Sequence, residues 1–254
     1  MERPIITLLT DFGTTDHYVG AMKGVMLGIA PDAQLVDISH EISPYGIAEA
    51  AYTLAQAWGC FPAGTVHLVV VDPGVGSARR AIAAEFGGRC FVAPDNGVLT
   101  MAIGKDARVH EITAARLFRR PVSRTFHGRD IFSPVAAHLA AGLELGEVGP
   151  RVDDWVELDV EDSEGRVLKV DRFGNLITSF ETGKWLPRLA GGFEMKVGST
   201  VVSRVVQNYA DAGEGLFVIP GSAGFLEISA RQASAAEIAQ AVAGAEIEIA
   251  AKSR

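Results

Sequence analysis

The first half of the chain alternates short apolar runs with longer segments in which apolar residues recur every three or four positions. The short runs predict strands at 4–10, 34–39, 65–71, 81–86 and 90–94. The longer segments predict helices at 17–30, 47–60, 96–104 and 131–142. Asp130 stands directly before the last of these, where an acidic side chain is a favourable N-cap. The alternation is typical of an α/β domain with a mostly parallel sheet and helices on both faces.

From Val156 onward the pattern changes to short strand-like runs separated by Gly, Asp and Asn. These runs are 156–160, 166–170, 176–180, 193–197, 201–206, 216–220, 225–229 and 246–250. They predict an antiparallel barrel or sandwich, with one late helix at 234–244. We therefore expect a Rossmann-like α/β domain at 1–152 and a β-barrel-like domain at 156–254.

Composition narrows the class of protein. Of the 254 residues, 48% are hydrophobic and 21% are charged, as in ordinary globular proteins. The net charge of −8 disfavours a nucleic-acid partner, which would need a basic surface. The apolar runs are too short for a membrane span, and the N-terminus lacks the pattern of a signal peptide. Cys60 and Cys90 have neither zinc nor redox spacing, which favours reduced, buried thiols in a cytoplasmic protein.

The most informative polar residues follow the buried-looking strand at 65–71. That strand runs into Asp72, a Pro-Gly turn and then Arg79, at the strand end where α/β sheets collect their chemistry. His127 stands in a second polar cluster, just before a predicted helix. Asp, Arg and His with no obvious Ser or Cys nucleophile beside them indicate an enzyme that activates a small reactant such as water. The turn lacks the P-loop signature, and the histidines lack metal-ligand spacing, so we expect neither a metal nor a cofactor.

Two further loops carry candidate binding residues, each with a structural alternative. Asp11 and Asp16 lie in the first βα loop, where a carboxylate can accept hydrogen bonds from a ribose diol. Asp16 could instead cap the following helix. The segment 171–175 could be a simple turn, because Asp, Gly and Asn are the usual turn residues. Its acid, aromatic ring and amide could equally stack on and hydrogen-bond a purine.

At these residues the sequence resembles the S-adenosyl-L-methionine (SAM) hydroxide adenosyltransferases, the water-using relatives of the fluorinases and chlorinases. The resemblance runs over nearly the whole chain. It is carried by six motifs in order, TDFGTTD (10–16), VDPGVGSARR (71–80), PDNG (94–97), TFHGRD (125–130), DRFGN (171–175) and SAGFLEI (222–228).

The resemblance implies hydrolysis of SAM to adenosine and L-methionine, by attack of an activated water at the ribose C5′. It also implies an α/β domain followed by a barrel-like domain, and a homotrimer with substrate held between neighbouring subunits. By motif match, the water-handling residues are Asp72, Arg79 and His127. The substrate-binding residues are Asp11 for the ribose diol, Asp16, Asp171 and Ser222 for the methionine part, and Phe173, Asn175 and Tyr209 for the adenine.

Two departures from the fluorinase pattern bear on the reactants. The chain has Asp72-Pro73 where the fluorinase has Tyr-Pro, and a carboxylate there would repel a halide. Ser222-Ala223 replaces Ser-Arg, which leaves the contact to the methionine carboxylate open. We therefore expect water as the nucleophile. The alternatives are a halide-using SAM adenosyltransferase, a module that senses or buffers SAM or adenosine, and a metal-dependent phosphate-ester hydrolase built on Asp72, for which no second acidic cluster is present.

Overall fold

The computed structural model describes residues 3–159 and 165–251, and the chain divides at Leu158 and Asp159 into two compact units. The first unit contains, in chain order, β1 (Ile5–Thr10), α1 (Tyr18–Ile29), β2 (Gln34–Ser39), α2 (Ile47–Ala57), β3 (Val66–Val70), β4 (Ala81–Phe86), β5 (Arg89–Pro94), β6 (Arg108–Glu111) and α3 (Ser133–Ala140). Its sheet has the order β2-β1-β3-β5-β4-β6. The pairs β1–β2, β1–β3 and β3–β5 are parallel, and β4 runs antiparallel to β5 and β6. The predicted α/β class is confirmed.

Alternation along the central strands gives this sheet two buried faces. On β1, Ile6 and Leu8 join the core that contains α3, whereas Leu9 joins the core that contains Leu54 of α2. All five residues of β3 are buried, as expected for an interior parallel strand. The sheet is therefore covered on both sides, and the polar groups that follow its strands collect at its carboxyl edge.

Two local predictions in this unit are wrong. Residues 96–104 form a series of turns and no helix, because Gly97 has a left-handed φ of 92° and packs against Leu158. Asp130 is not an N-cap either. It lies inside a π-helical turn, Gly128–Phe132, that leads into α3. Its fully buried carboxylate accepts hydrogen bonds from Arg129, Arg119 and the Ser123 backbone N–H.

The second unit is a seven-stranded sheet. It contains β7 (Gly165–Val170), β8 (Leu176–Glu181), α4 (Thr182–Leu189), β9 (Phe193–Val197), β10 (Thr200–Val202), β11 (Leu216–Pro220), β12 (Phe225–Ala230), α5 (Ala235–Ala239) and β13 (Glu246–Ala251). The order is β10-β9-β13-β7-β8-β12-β11, with each neighbouring pair antiparallel over the described residues. Val205, just after β10, bridges to Val218 of β11 and nearly closes the sheet into a barrel. This barrel-like form confirms the predicted class of the second half.

The second unit differs from expectation in its short elements. Residues 156–159 of the strand predicted at 156–160 are irregular, and residue 160 lies outside the described residues. The run 201–206 is a strand only to Val202, and the late helix is limited to α5. The helix α4 was not predicted. Across the chain, both cysteines are free and Cys60 is exposed, contrary to the expectation of two buried thiols.

Replacing Asp130 by Asn should lower the free energy of unfolding by about 2 kcal/mol, because an isosteric amide cannot neutralise the two guanidinium groups. Burial alone would raise the pKa of Asp130, but Arg129, Ser123 and Arg119 hold it below its ordinary 3.8. The carboxylate's stabilisation is therefore present above that value and is lost as the pH falls through the lowered pKa. Urea denaturation at pH 7 and pH 3 measures both effects. Asp153→Asn, at an acid whose side chain is 81% exposed, is the control and should leave the midpoint unchanged.

Candidate active site

A tight turn after β3 folds Arg79 back over Asp72. Within it, the Ser77 hydroxyl donates to the Gly74 carbonyl at 2.7 Å and accepts from the Arg79 N–H at 3.2 Å. Gly76 has a φ of 77° and lies so close to the Arg124 carbonyl that a side chain there would collide with it. The glycine at this position is therefore required by both the backbone conformation and the space.

Arg79 forms a bidentate pair with Asp72 through the Nε–Nη2 edge of its guanidinium. Its Nε donates to Asp72 Oδ1 at 2.9 Å, and its Nη2 donates to Oδ2. The two side chains are only 4% and 11% exposed, and the guanidinium lies over the ring of Phe132 at 5.1 Å. A bidentate pair with so little exposure fixes the direction of both charges.

His127 completes this group, although it is 48 residues from Arg79 in sequence. Its Nδ1 lies 3.0 Å from Arg79 Nη2. Because a guanidinium only donates, Nδ1 accepts, and the neutral ring carries its proton on Nε2. Burial and the charge of Arg79 lower the pKa of His127, while Asp72 and Asp130 oppose this shift. The structure thus brings Asp72, Arg79 and His127 into one contiguous triad.

The PDNG motif supports this triad from the neighbouring strand β5. The Asn96 side-chain amide donates to the Val71 carbonyl at 2.9 Å, directly before Asp72. Asp95, which is buried, accepts from Arg80 at 2.7 Å and from the Val156 N–H at 2.7 Å. The turn and the residue after Arg79 are therefore both tied to β5.

Asp11 faces the same region of the sheet edge. Its Oδ2 accepts from the Tyr45 backbone N–H at 2.9 Å. Burial raises the pKa of Asp11, the hydrogen bonds from Tyr45 and its own backbone oppose this, and the charge of Asp72 raises it further. A ligand hydroxyl that donated to Asp11 would relieve this desolvation.

Asp16 lies in the same loop but is exposed. The N-cap position of α1 is His17, and no side chain caps that helix end. The structural alternative for Asp16, a helix cap, is therefore wrong.

A cavity of about 630 Å³ in the second unit collects the remaining candidates. Its lining includes all five residues expected to bind substrate in this half, Asp171, Phe173, Asn175, Tyr209 and Ser222. Phe173 is 79% exposed, whereas Asn175 is buried. An exposed ring beside a fixed amide is the combination that stacking and edge recognition of a purine require.

The loop 171–175 is a genuine turn as well as part of this cavity. Asp171 Oδ1 accepts from the N–H groups of Phe173 and Asn175, at 2.9 and 2.8 Å, and Oδ2 accepts from the Asn175 side chain at 2.8 Å. Gly174 has a φ of 83° and packs directly on Ser234. The turn alternative is therefore correct for the backbone, and it holds Phe173 and Asn175 in place.

Glu227 is a lining residue that the sequence interpretation did not single out. Its carboxylate lies 3.5 Å from the Tyr209 hydroxyl, which is also 3.5 Å from Ser229 Oγ. Burial and the charge of Asp171 raise the pKa of Glu227, while the Tyr209 contact opposes this. The only sign of Glu227 in the sequence was an acid within the strand run 225–229.

Among the described residues no cluster of acids, histidines and cysteines has the arrangement of a metal site, and no helix is long and apolar enough to cross a membrane.

The triad at the carboxyl edge of an α/β sheet, followed by an antiparallel unit with an aromatic and acidic cavity, defines a class. It is that of proteins in which an α/β unit is followed by a barrel-like antiparallel unit. Residues 6–149 match the N-terminal domain model of the SAM hydroxide adenosyltransferases, and residues 165–248 match the C-terminal one. The chain belongs to the SAM hydroxide adenosyltransferase family.

Individual relatives agree with this assignment. A protein of Thermus thermophilus named (R)-S-adenosyl-L-methionine hydrolase is 40% identical, over 92% of this chain and 94% of its own. A protein of the same name from Methanocaldococcus jannaschii is 38% identical, over 89% and 88%. A fluorinase of Nocardia brasiliensis is 28% identical, over 98% and 97%. The crystal structure of an uncharacterized conserved protein from Thermotoga maritima superposes with a TM-score of 0.85 at 40% identity, covering 96% of this chain and all of the other.

Replacing Arg79 by Met should raise the pKa of His127, because a cation that disfavours the imidazolium is removed while Asp72 and Asp130 still favour it. NMR titration of the His127 ring in wild type and variant measures the shift. His138, whose pKa is also lowered but by burial and Arg116, is the internal control and should titrate as before. A His127 pKa that fell or stayed the same in the variant would contradict the triad geometry.

Proposed function

We propose that this protein is a SAM hydrolase that forms adenosine and L-methionine by attack of water at the ribose C5′. The observation that carries the proposal is the contact of Arg79 with both Asp72 and His127 at the end of β3. Membership of the SAM hydroxide adenosyltransferase family supports it, as do the relatives named (R)-S-adenosyl-L-methionine hydrolase.

The reaction needs a water with its proton partly removed and no acid for the leaving group. The water oxygen forms a bond to C5′, and the C5′–sulfur bond breaks with its electron pair passing to sulfur. The cationic sulfonium thereby leaves as a neutral thioether. Alignment of the two reactants contributes several kcal/mol, on the order of 7–11 in favourable cases.

The hydrogen-bond pattern of the triad favours one assignment of the proton-accepting and charge-stabilising roles. His127 Nδ1 is occupied by Arg79, so the neutral ring offers an Nε2–H that donates to the water oxygen. Each Asp72 oxygen keeps an acceptor position beyond its bond to Arg79, so Asp72 takes the proton. Arg79 and the Nε2–H of His127 then stabilise the hydroxide-like oxygen.

The binding residues divide by chemistry. Asp11 accepts the ribose diol, and the carboxylates of Asp16 and Asp171, with Ser222, bind the polar end of the methionine part. Phe173 stacks on the adenine and Asn175 hydrogen-bonds its edge, with Tyr209 on the border. The cavity that gathers five of these residues supports this division.

Water is favoured over a halide by the charge at the nucleophile position. Asp72 is a carboxylate with little exposure, and it would repel fluoride or chloride brought into the same space. A water molecule is instead attracted as a hydrogen-bond donor.

The proposal extends to assembly and location. The triad and the cavity lie on different units of the chain. We propose a cytoplasmic homotrimer in which the first unit of one copy and the second unit of its neighbour complete each site.

Incubation of the purified protein with SAM should yield adenosine and methionine, and chloride or fluoride should not change the products. Run in ¹⁸O-labelled water, the reaction should place the label in the 5′-hydroxyl of adenosine. Chromatography with mass detection measures both. Failure to form adenosine, or a dominant 5′-halo-adenosine, contradicts the proposal.

Asp72→Asn should lower kcat at least about a hundredfold, the usual minimum for a lost general base, with adenosine affinity within threefold. Asp153→Asn is the matched surface control.

If each site is shared between two copies, mixing two inactive variants should restore part of the activity. Asp72→Asn removes the base from the first unit, and Asn175→Ala removes the proposed adenine contact from the second. After unfolding and refolding together, mixed trimers should contain sites with neither defect, and activity should return to about a quarter of wild type on statistical grounds. Activity assays with light scattering for mass measure this. Mixtures no more active than the separate variants, or a monomeric mass, would contradict shared sites.

A further inference from the structure

The loop after β2 is bonded to the loop that carries Asp11 at several points. The Gly13 N–H donates to the His40 carbonyl at 2.7 Å, and the Tyr45 N–H donates to Asp11 Oδ2 at 2.9 Å. Tyr45 makes this bond from a left-handed backbone with a φ of 66°, which is strained for a non-glycine residue. Such a conformation persists where the surrounding structure holds it, so the two loops hold each other in place.

His40 lies between these two loops and is 5% exposed. Its Nδ1 is 2.8 Å from Thr10 Oγ1, and Thr10 Oγ1 also accepts from the Phe12 N–H at 3.3 Å. Thr10 and Phe12 flank Asp11 in sequence. The side chain of His40 therefore contacts Thr10 directly, and the Thr10 hydroxyl in turn holds the Phe12 N–H on the other side of the proposed ribose-binding carboxylate.

The other side of His40 faces the ion pair of Asp37 and Lys23. Its Nε2 lies 3.0 Å from Asp37 Oδ1, and Asp37 Oδ2 accepts from Lys23 of α1 at 2.6 Å. Burial would raise the pKa of Asp37, but the contacts with Lys23 and His40 lower it, so the acid is held as a carboxylate. When His40 carries its proton on Nε2, Thr10 donates to Nδ1, and Nε2 faces Asp37 at 3.0 Å without the alignment of a hydrogen bond.

A second pair on the same strand provides a comparison. Thr7 Oγ1 lies 2.7 Å from Nδ1 of His67, and both residues are fully buried. This pair repeats the Thr10–His40 contact three residues earlier on β1, away from the loop that carries Asp11. Burial and the charge of Arg89 lower the pKa of His67 to about 4, so the His67 ring is neutral near pH 7.

We propose that His40 is a positioning residue, which with Thr10, Asp37 and Lys23 fixes the Asp11 carboxylate in the direction that binds the ribose diol. This rests on the ribose role proposed for Asp11. It assigns a role to groups that do not themselves touch substrate, and it explains why a buried histidine sits beneath the first βα loop.

The test compares Thr10→Val with Thr7→Val, which remove the same hydroxyl from the same strand. Thr10→Val should raise the KM for SAM and the Kd for adenosine about tenfold, as for one lost hydrogen bond, with kcat within threefold. Thr7→Val should lower the thermal midpoint similarly but leave KM and Kd within twofold. Thr10→Ser, which keeps the hydroxyl, should restore both constants. Asp37→Asn, at a side chain 40% exposed, should fold and shift both constants two- to threefold.

Calorimetric titration with adenosine gives the Kd without turnover, and Asp11→Ala separates the two ideas. Weaker binding in Asp11→Ala but not in Thr10→Val or Asp37→Asn overturns the positioning role alone. Equal losses in Thr10→Val and Thr7→Val overturn it as well, because the effect would then be general destabilisation. Unchanged binding in Asp11→Ala overturns the ribose role and the positioning role that depends on it, while leaving water activation by the triad to the separate Asp72 experiment.

Discussion

The guanidinium of Arg79, held with 11% exposure between Asp72 and His127, is the interaction on which the arrangement of the site depends. The Arg79 cation keeps the little-exposed Asp72 ionised, and its hydrogen bond to Nδ1 fixes the tautomer of His127. The backbone is built to provide it. Gly76 allows the turn that returns Arg79 over Asp72, Asn96 holds the carbonyl before Asp72, and Gly128 lets the His127 segment approach α1 and β3 closely.

In each of the two units, the pKa of one candidate-site carboxyl is raised partly by the charge of another carboxylate. The pKa of Asp11 is raised partly by Asp72, and that of Glu227 partly by Asp171. Carboxylates held near one another without enough cations favour a positively charged ligand, because such a ligand relieves their repulsion. A sulfonium compound has the charge that these positions would favour. The same negative charge would repel an anionic nucleophile, in agreement with the proposal that water is the nucleophile.

The sequence predicted those parts of the fold that depend on periodicity. β2 at Gln34–Ser39 and β9 at Phe193–Val197 have the predicted bounds, since their apolar patterns end at polar or glycine residues. The helix α4 could not be found in this way, because it contains Gly183 and Pro187 and depends on packing of Trp185 against Phe180 at 4.5 Å.

The same limit applies to the site. The strand-end argument pointed to Asp72 and Arg79, and His127 was noted in a separate polar cluster. The family motifs grouped the three residues, and the structure shows that Arg79 contacts the other two. Their roles remain predictions. Glu227 was not found because its environment is set by Tyr209 and Asp171, which are distant in sequence. The triad geometry likewise depends on a non-local bond, and only the folded chain shows that His127 Nδ1 is already occupied.

Phe173 has a consequence of a different kind. Its ring is 79% exposed, yet its backbone is already held by Asp171 and by Gly174 packed on Ser234. A backbone that is preorganised in this way loses little conformational entropy when a flat partner covers the ring. If the adenine stacks on Phe173 as proposed, apolar surface is removed from water and the heat-capacity change of binding is negative. The binding enthalpy should then become more negative as the temperature rises. The temperature dependence of binding would then come largely from one exposed ring in the turn 171–175.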